Sequence, residues 1–270
     1  MGVIRVKVRN YSDVIDRILI ALGKSEGLSI WHQTSSSPSH PLYSLHYAAK
    51  NADAPTIYVS AGIHGNEPAG VECAVRLIEH LADTTYQNSF RLPLKEFNWL
   101  ISPCDNPYGY EQDTRENALG NDLNRMFGTP NRCIETEFIT ELLLRTQTHP
   151  KTKIALALDL HEDTDSIGFY LWERRSSTST PIGNAVVKHI EDICHINREP
   201  MIENHRNENG VITLLDTVTT KGWTRGRYLA EQIQTRCLIL ETPTILDPEI
   251  RIKVHMTAIE TSVKHALNYP

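Results

Sequence analysis

A histidine and a glutamate, His64 and Glu67, follow directly on the apolar run 56–62 in the segment TIYVSAGIHGNEP. In the loop after a strand, the spacing His-x-x-Glu lets both side chains turn towards one point, and zinc accepts imidazole nitrogen and carboxylate oxygen at nearly the same distance. The pair alone is a weak signal, because two fixed positions in four residues recur by chance. A helix-capping glutamate beside a polar loop histidine is the structural alternative.

A second histidine, His161, closes the apolar run IALALDL. A histidine at the end of a buried strand is costly to leave unpaired, so it needs a metal or another partner. Two histidines and one glutamate from separate elements, with a fourth position open, form the pattern of a catalytic zinc site. Glu241 ends a third apolar run, RCLILET, where it is either buried with a partner or used as a general base.

Two arginines, Arg115 and Arg125, lie in the Gly- and Asn-rich segment 105–128. Guanidinium groups in such a place are suited to gripping a carboxylate or polarising a carbonyl, with surface solvation as the alternative. Asp122 in the same segment could accept the second ring N–H of a zinc-bound histidine. The segment therefore predicts groups that contact both substrate and metal ligands.

These residues need a scaffold that brings the ends of separate strands together. Strands and helices alternate along the chain, which predicts an α/β sandwich around a largely parallel sheet. Continuous apolar runs predict central strands at 56–62, 153–162 and 236–242. In such sheets ligands bind beyond the carboxyl ends of the strands, so these runs would bring their polar ends to one edge.

The other segments divide into helices, strands and one loop, according to apolar periodicity and the positions of proline. Helices are predicted from Tyr11 to Leu22, from Pro68, over 133–147, over 180–196, and from Pro248 to near Leu267. Further strands are predicted at 41–48, 97–103 and 168–174. The Ser-rich stretch 34–41 is predicted to be a loop.

Composition narrows the class of function. The 270 residues carry a net charge of −6, which gives no electrostatic reason to expect nucleic acid or an anionic membrane as a partner. No apolar run approaches membrane-spanning length, and the N-terminus has no signal-peptide core. The five cysteines are scattered without a Cys-x-x-Cys pair, which favours reduced thiols and a cytoplasmic location.

Several motifs occur in the order known from one group of enzymes. They are HGNE at 64–67, the turn Asn-Pro-Tyr-Gly at 106–109, Arg115, DLNR at 122–125, DLH at 159–161 and the late Glu241. In this set the chain resembles the zinc metallocarboxypeptidases of the carboxypeptidase A type. It also resembles their relatives, the succinylglutamate desuccinylases, the aspartoacylases and the murein-peptide amidases. The ordered set is far more specific than any one motif.

The resemblance implies a fold, one zinc ion and a role for each site residue. The fold would be a three-layer α/β sandwich with a mixed, twisted sheet of about eight strands flanked by helices, and residues 1–270 would form a single catalytic domain. The implied roles are zinc ligation by His64, Glu67 and His161, general base catalysis by Glu241, oxyanion stabilisation by Arg115, binding of a substrate carboxylate by Asn124 and Arg125, and orientation of His64 by Asp122.

Parts of the pattern stay open. No tyrosine stands at the distance before Glu241 where carboxypeptidases of this type often carry a mobile one. The cationic residues of that region would suit an acidic substrate side chain, although a solvated loop is the favoured interpretation; they are Lys221, Arg225 and Arg227. The segment 169–172 is interpreted as ordinary strand packing.

A second metal is a further possibility that the acidic segment 162–165 raises. Hard carboxylate oxygens suit divalent ions, and three of them stand close together here, on Glu162, Asp163 and Asp165. Solvation of these carboxylates, or pairing with arginines, is the favoured alternative.

Three functions compete. The favoured one is a zinc carboxypeptidase that releases a C-terminal residue from a peptide, because only one helix follows Glu241 whereas the related deacylases usually carry a further β-rich domain. The alternative is a zinc-dependent deacylase that cleaves small N-acyl amino acids. The third, from another class, is a non-catalytic zinc-binding protein, which predicts that a ligand or the base is missing; none is.

Overall fold

The computed structural model describes residues 9–51, 53–83, 90–130, 132–148, 153–214 and 222–268. Its strands are β1 (Leu28–Ser37), β2 (His40–Tyr47), β3 (Thr56–Ala61), β4 (Asn98–Ser102), β5 (Ile154–Asp163), β6 (Tyr170–Arg174), β7 (Met201–Ile202), β8 (His205–Arg206), β9 (Val211–Leu214) and β10 (Arg236–Pro243). Its α-helices are α1 (Tyr11–Lys24), α2 (Pro68–Ala82), α3 (Pro107–Gln112), α4 (Ile134–Thr148), α5 (Gly183–Ile190), α6 (Arg225–Glu231) and α7 (Pro248–Ala266). Short 3₁₀ helices cover Leu94–Glu96 and Leu123–Arg125.

Eight of the described strands form one mixed sheet in the order β1-β2-β4-β3-β5-β10-β6-β9. At its centre β4, β3, β5 and β10 run parallel to one another. Their outer neighbours β2 and β6 run antiparallel to them. The prediction of a mixed α/β sheet flanked by helices is confirmed, with the predicted central strands at its centre.

Helices cover both faces of this sheet. The larger apolar cluster includes side chains of α1, α2, α5 and α7, whereas α4 and α6 contribute to a second cluster. Successive residues of a strand point to opposite faces, so Val59 of β3 joins the first cluster and Tyr58 the second. Burial on both faces explains why β3 is apolar throughout. None of the described helices is long and apolar enough to cross a membrane.

Proline marks the start of two helices, as predicted. Pro68 opens α2 directly after the loop that follows β3, and Pro248 opens α7. The first turn of a helix has no partner for its N–H groups, so the missing N–H of proline costs nothing there. Asp247 caps α7, because its side chain accepts a hydrogen bond of 2.9 Å from the Glu249 N–H.

Two local predictions are wrong. The Ser-rich stretch 34–41 is not a loop but the tip of a hairpin, because residues up to Ser37 continue β1 and β2 begins at His40. β1 lies at the edge of the sheet, where a polar strand is tolerated. The helix predicted over 180–196 is limited to α5, because the chain turns after Ile190 so that Ile196 can bridge to Phe169.

The loop after β3 packs against α3 backbone to backbone, which predicts a strict requirement for glycine. A Cβ atom added at Gly65 would lie 1.9 Å from the carbonyl carbon of Gly109. We expect Gly65→Ala to lower the free energy of unfolding by about 1–3 kcal/mol, since one backbone must move away from the other. Denaturant unfolding followed by circular dichroism measures this change.

The matched control is Gly23→Ala in α1, where an added Cβ meets nothing within 4 Å. This substitution should leave stability unchanged or raise it by up to about 1 kcal/mol, because alanine favours helix. Equal effects of the two substitutions would show that the contact between Gly65 and Gly109 does not constrain the fold.

Candidate active site

The polar ends of three adjacent central strands meet at one edge of the sheet. His64 follows β3, His161 lies near the end of β5, and Glu241 lies near the end of β10. In the parallel register of β5 and β10, His161 and Glu241 are direct partners. All three line a cavity of about 440 Å³ at the carboxyl ends of the strands, which is where α/β sheets bind ligands.

A carboxylate shared by two imidazoles is the centre of this cavity. Nδ1 of His64 lies 2.6 Å from one oxygen of Glu67, and Nδ1 of His161 lies 2.7 Å from the other. All three side chains are buried, and each brings one ligand atom within 4.8 Å of the others. Burial opposes ionisation of Glu67, but the two imidazoles lower its pKa to about 2. No other His, Cys, Asp or Glu group of this kind occurs within the described ranges.

Each imidazole also faces a carboxylate with its second nitrogen. Nε2 of His64 lies 3.3 Å from Asp122, and Nε2 of His161 lies 3.4 Å from Asp159. Such outer carboxylates fix the orientation of metal-binding histidines. Asp122 occupies the place expected from the sequence, whereas Asp159 was not anticipated. The sequence nevertheless indicates that Asp159 lies on the same face as His161, because residues two apart on a strand share a face and Asp159 precedes His161 by two.

Asp159 is held in turn by Arg225. The guanidinium of Arg225 is fully buried and bonds to both Asp159 and Asp105. Burial opposes ionisation of Asp159, but Arg225 and then His161 hold its pKa below the usual range. Burial raises the pKa of Asp105 to about 6 against the attraction of Arg225. The expectation that Arg225 is solvated or contacts a substrate side chain is therefore wrong.

The same prediction was made for two other cationic residues of that region, Arg227 and Lys221. Arg227 lies 4.4 Å above the ring of Trp223 and pairs with Glu231 at 2.7 Å, so it is not a solvated charge either. Lys221 lies outside the described residues.

Glu241 stands beside the group formed by His64, Glu67 and His161. Burial raises its pKa to about 8, with Glu67 and Asp163 adding to the shift and His161 opposing it. A carboxyl group that titrates near neutrality can both take up and deliver a proton.

The 3₁₀ helix Leu123–Arg125 sets the positions of Asn124 and Arg125 at the cavity wall. Asp122 caps this helix through the Asn124 N–H at 2.9 Å and also accepts from Nε of Arg115 at 3.0 Å. The side-chain oxygen of Asn124 accepts from the Arg225 N–H at 2.8 Å, so its Nδ2 is the group left to bind a ligand. Arg115 and Arg125 both line the cavity.

The acidic segment after His161 does not gather its carboxylates. Glu162 binds the side chain of Arg251 and the N–H of Ala69, and Asp163 accepts a bond of 2.9 Å from the Tyr170 hydroxyl. A second metal held jointly by Glu162, Asp163 and Asp165 therefore has no geometric support in the described part of the chain. Glu162 instead pairs with an arginine, which is one of the alternatives to a second metal that the sequence favoured.

Strand β6 contributes residues to the cavity that the sequence did not identify. Phe169 and Leu171 join the apolar core, as expected for strand packing. Tyr170 and Trp172, which alternate with them, are also buried in an apolar cluster, as expected for strand packing, and in addition they line the cavity. Alternation of apolar and polar side chains along the strand would have distinguished the cavity face from the core face. It is hidden here because both faces of the strand carry apolar side chains.

The donor set predicts that the chain retains zinc through His161. After dialysis we expect about one zinc ion per wild-type chain. His161→Ala should lose most of its zinc, because the two donors that remain do not make a tight site. Elemental analysis by mass spectrometry measures the content. His189→Ala, an exposed histidine of α5, is the matched control and should keep its zinc. Full retention by His161→Ala would contradict the assignment.

The raised pKa of Glu241 predicts a pH-dependent stability of metal-free protein. A carboxyl group whose pKa is higher in the folded chain favours folding below its unfolded value of about 4.3. That contribution is lost as the pH rises through about 8. Glu241→Gln stays neutral, so its melting temperature should match wild type near pH 5 and exceed it near pH 9. A difference that does not change with pH would refute the raised pKa.

Comparisons with known proteins identify the family and the fold of this chain. Residues 53–242 match the family described as the succinylglutamate desuccinylase/aspartoacylase catalytic domain. A succinylglutamate desuccinylase from Photorhabdus laumondii is 33% identical over 116 residues, which are 39% of this chain and 33% of that protein. The match thus spans about one third of the relative's length.

Solved structures share the fold over nearly the whole chain. A Shewanella amazonensis protein, provisionally described as a metallopeptidase, superposes with a TM-score of 0.77 at 21% identity, covering 95% of this chain and 93% of that one. A metallo-carboxypeptidase from Pseudomonas aeruginosa, in complex with (2-guanidinoethylmercapto)succinic acid, gives a TM-score of 0.68 at 18% identity, covering 95% and 68%.

The family match covers most of the chain, and the solved structures show that the fold is shared. The matched residues run from just before β3 to Thr242 and so include every side chain described around the shared carboxylate. This chain belongs to the succinylglutamate desuccinylase/aspartoacylase family, and the part that it shares with the family is the catalytic domain.

Proposed function

We propose that this chain is a zinc-dependent metallocarboxypeptidase, a single catalytic domain that hydrolyses the amide bond next to a free carboxylate and releases the C-terminal residue of a peptide. The carrying observation is the group formed by His64, Glu67 and His161, with Glu241 beside it and the guanidinium of Arg125 in the same cavity. An amide and a carboxylate of one substrate can contact these two sets of side chains together.

The three donors fit zinc in chemistry as well as number. Two imidazole Nδ1 atoms and one carboxylate make up the set, and carboxylates of Asp122 and Asp159 face the outer ring nitrogens. His64, Glu67 and His161 would hold the zinc ion, which when bound would lower the pKa of the attacking water and polarise the substrate carbonyl.

Glu241 is the proposed general base. It takes the proton from the attacking water and passes it to the nitrogen of the leaving amine, so the amide C–N bond breaks as that nitrogen gains its proton. The pKa of about 8 lies closer to neutrality than that of a free glutamate, which favours both transfers. Its place opposite His161 in the sheet keeps it next to the reacting atoms.

The cationic side chains supply charge stabilisation and position. Arg115, whose Nε is fixed by Asp122, is proposed to stabilise the oxyanion that forms from the carbonyl. Arg125 and the Nδ2 of Asn124 are proposed to bind the free carboxylate. That grip selects which amide lies over the metal ligands, because it fixes the end of the substrate.

The second candidate, cleavage of a small N-acyl amino acid, is favoured by the family match and by the Photorhabdus laumondii relative. Both substrates carry an amide next to a free carboxylate, and they differ only on the acyl side. Zinc-loaded protein should therefore be tested on blocked peptides with free or amidated C-termini and on N-acyl amino acids, with products identified by mass spectrometry. Turnover of N-acyl amino acids alone would replace the carboxypeptidase proposal. No turnover of any substrate would favour a non-catalytic zinc protein.

The role of Glu241 predicts a specific loss of turnover. Glu241→Gln should lower kcat by about 10²–10⁴-fold, because an amide cannot take the proton, while zinc content stays unchanged. Stopped assays on the hydrolysed substrate, with elemental analysis of the same samples, measure both quantities. Glu249→Gln, on the exposed face of α7, is the control and should keep wild-type turnover. Unchanged kcat in Glu241→Gln would exclude it as the base.

A further inference from the structure

The side chain that follows His161 in β5 is directed to the helices on the opposite face of the sheet. Successive residues of a strand face opposite sides, so Glu162 shares its side with Leu160, which belongs to the apolar cluster that includes α2 and α7. Glu162 borders the cavity, but its side chain is fully buried. A buried carboxylate is costly without partners, so the groups that it binds indicate its role.

Glu162 connects two helices to β5. One of its oxygens accepts a hydrogen bond of 3.2 Å from the N–H of Ala69 in the first turn of α2, and the other accepts a bond of 2.5 Å from the guanidinium of Arg251 in α7. Arg251 is itself buried. The carboxylate thus links the strand that carries His161 to the helix that begins directly after Glu67.

The bond to Ala69 takes the place of the usual helix cap. Glu67 stands at the N-cap of α2, where a side chain ordinarily accepts a bond from an N–H of the first turn. Within the described ranges Glu67 makes no such bond, and both of its oxygens face imidazole nitrogens instead. Glu162 supplies the acceptor, together with the negative charge that is favourable at a helix N-terminus. Glu67 is thereby left free to face the two histidines.

The start of α2 also packs directly against β5. A Cβ atom added at Gly70 would lie 3.0 Å from both the Cβ atom and the carbonyl oxygen of Leu160. This close approach leaves α2 little room to shift along the strand while the bond between Glu162 and Ala69 is kept. Two neighbouring contacts therefore set the position of the first turn of α2 relative to β5.

We propose that Glu162 and Arg251 are positioning residues for the zinc ligands. Arg251 holds the carboxylate of Glu162, and Glu162 fixes the first turn of α2 so that Glu67 meets His161. This inference rests on the proposed function, because it assumes that His64, Glu67 and His161 hold zinc. Arg251 is not among the residues that line the cavity in the described part of the chain, so it acts only through Glu162.

Arg251→Met separates position from charge. If Arg251 contributed only its charge, its removal would leave the affinity for zinc unchanged or raise it, because a nearby positive charge repels a bound cation. If Arg251 positions Glu162, the affinity should instead fall about 10- to 100-fold, as is typical of residues that support metal ligands. Competition with a chromophoric chelator measures the dissociation constant, on samples that circular dichroism shows to be folded.

Two further variants keep the test decisive if Arg251→Met does not fold. Glu162→Leu combined with Arg251→Met removes one charge of each sign, so it leaves neither an unpaired buried ion nor a change in net charge. Its affinity for zinc should fall about as far as that of the single variant. Arg251→Lys should recover most of the affinity, because an ammonium group can still pair with Glu162.

The chain offers matched controls for both positioning residues. Glu173 of β6 is buried in the same way and accepts bonds of 3.0 Å from the N–H groups of Ile182 and Gly183 at the start of α5. Glu173→Gln should leave zinc affinity unchanged, whatever its effect on the melting temperature. Lys253→Met, which removes an exposed charge from α7, should do the same. Equal losses of affinity in Glu173→Gln and Arg251→Met would show a general loosening of the fold and overturn the proposal.

A spectroscopic measurement reports on the ligands without any substrate. The visible absorption of Co²⁺ bound in place of zinc depends on coordination geometry. Its spectrum should change in Arg251→Met and stay as in wild type in Glu173→Gln. Zinc binding by the wild type without turnover of any substrate would refute the proposed function alone. Zinc affinity in Arg251→Met that equals or exceeds wild type would refute this inference alone, and a wild type that binds no zinc would refute both.

Discussion

The buried guanidinium of Arg225 is the interaction on which the arrangement of the cavity depends. It binds Asp105 after β4 and Asp159 on β5, and its backbone N–H holds the side chain of Asn124. Asp159 faces His161, so the ion group around Arg225 helps to fix the position of a candidate zinc ligand. Removal of one member of a buried ion group leaves uncompensated charge, at a cost of about 3–5 kcal/mol. Stability and the position of a candidate ligand are thus linked through one side chain.

The side chains at strand ends were predictable because their setting is local. His64, His161 and Glu241 each follow or end an apolar run, and a run that is buried on both faces can only be a central strand. The topology of α/β sheets then places their ends at one edge. The residue types of the segment 105–128 pointed to Arg115, Asp122 and Arg125, and the order of the motifs added Asn124; the roles of these four residues remain proposals.

The residues that escaped prediction depend on distant contacts. Arg225 resembles a solvated charge in the sequence, and only Asp105 and Asp159, which are 120 and 66 residues away, make its burial possible. The hairpin over 28–47 depends on pairing between two strands, one of them largely polar, so the serines at 35–37 indicated a loop. The side chains of β6 alternate between core and cavity, but apolar residues on both faces conceal that alternation.

Because His161 and Glu241 are direct partners in β5 and β10, the backbone sets the separation between the candidate zinc ligand and the proposed base. Neighbouring strands lie about 4.8 Å apart wherever their peptide groups are bonded, irrespective of the side chains. Loops around the cavity can therefore lengthen, shorten or exchange charges during evolution without changing the gap between these two groups. Selection of substrates and transfer of the proton are consequently separable traits in this architecture, and a change of specificity need not begin with a loss of rate.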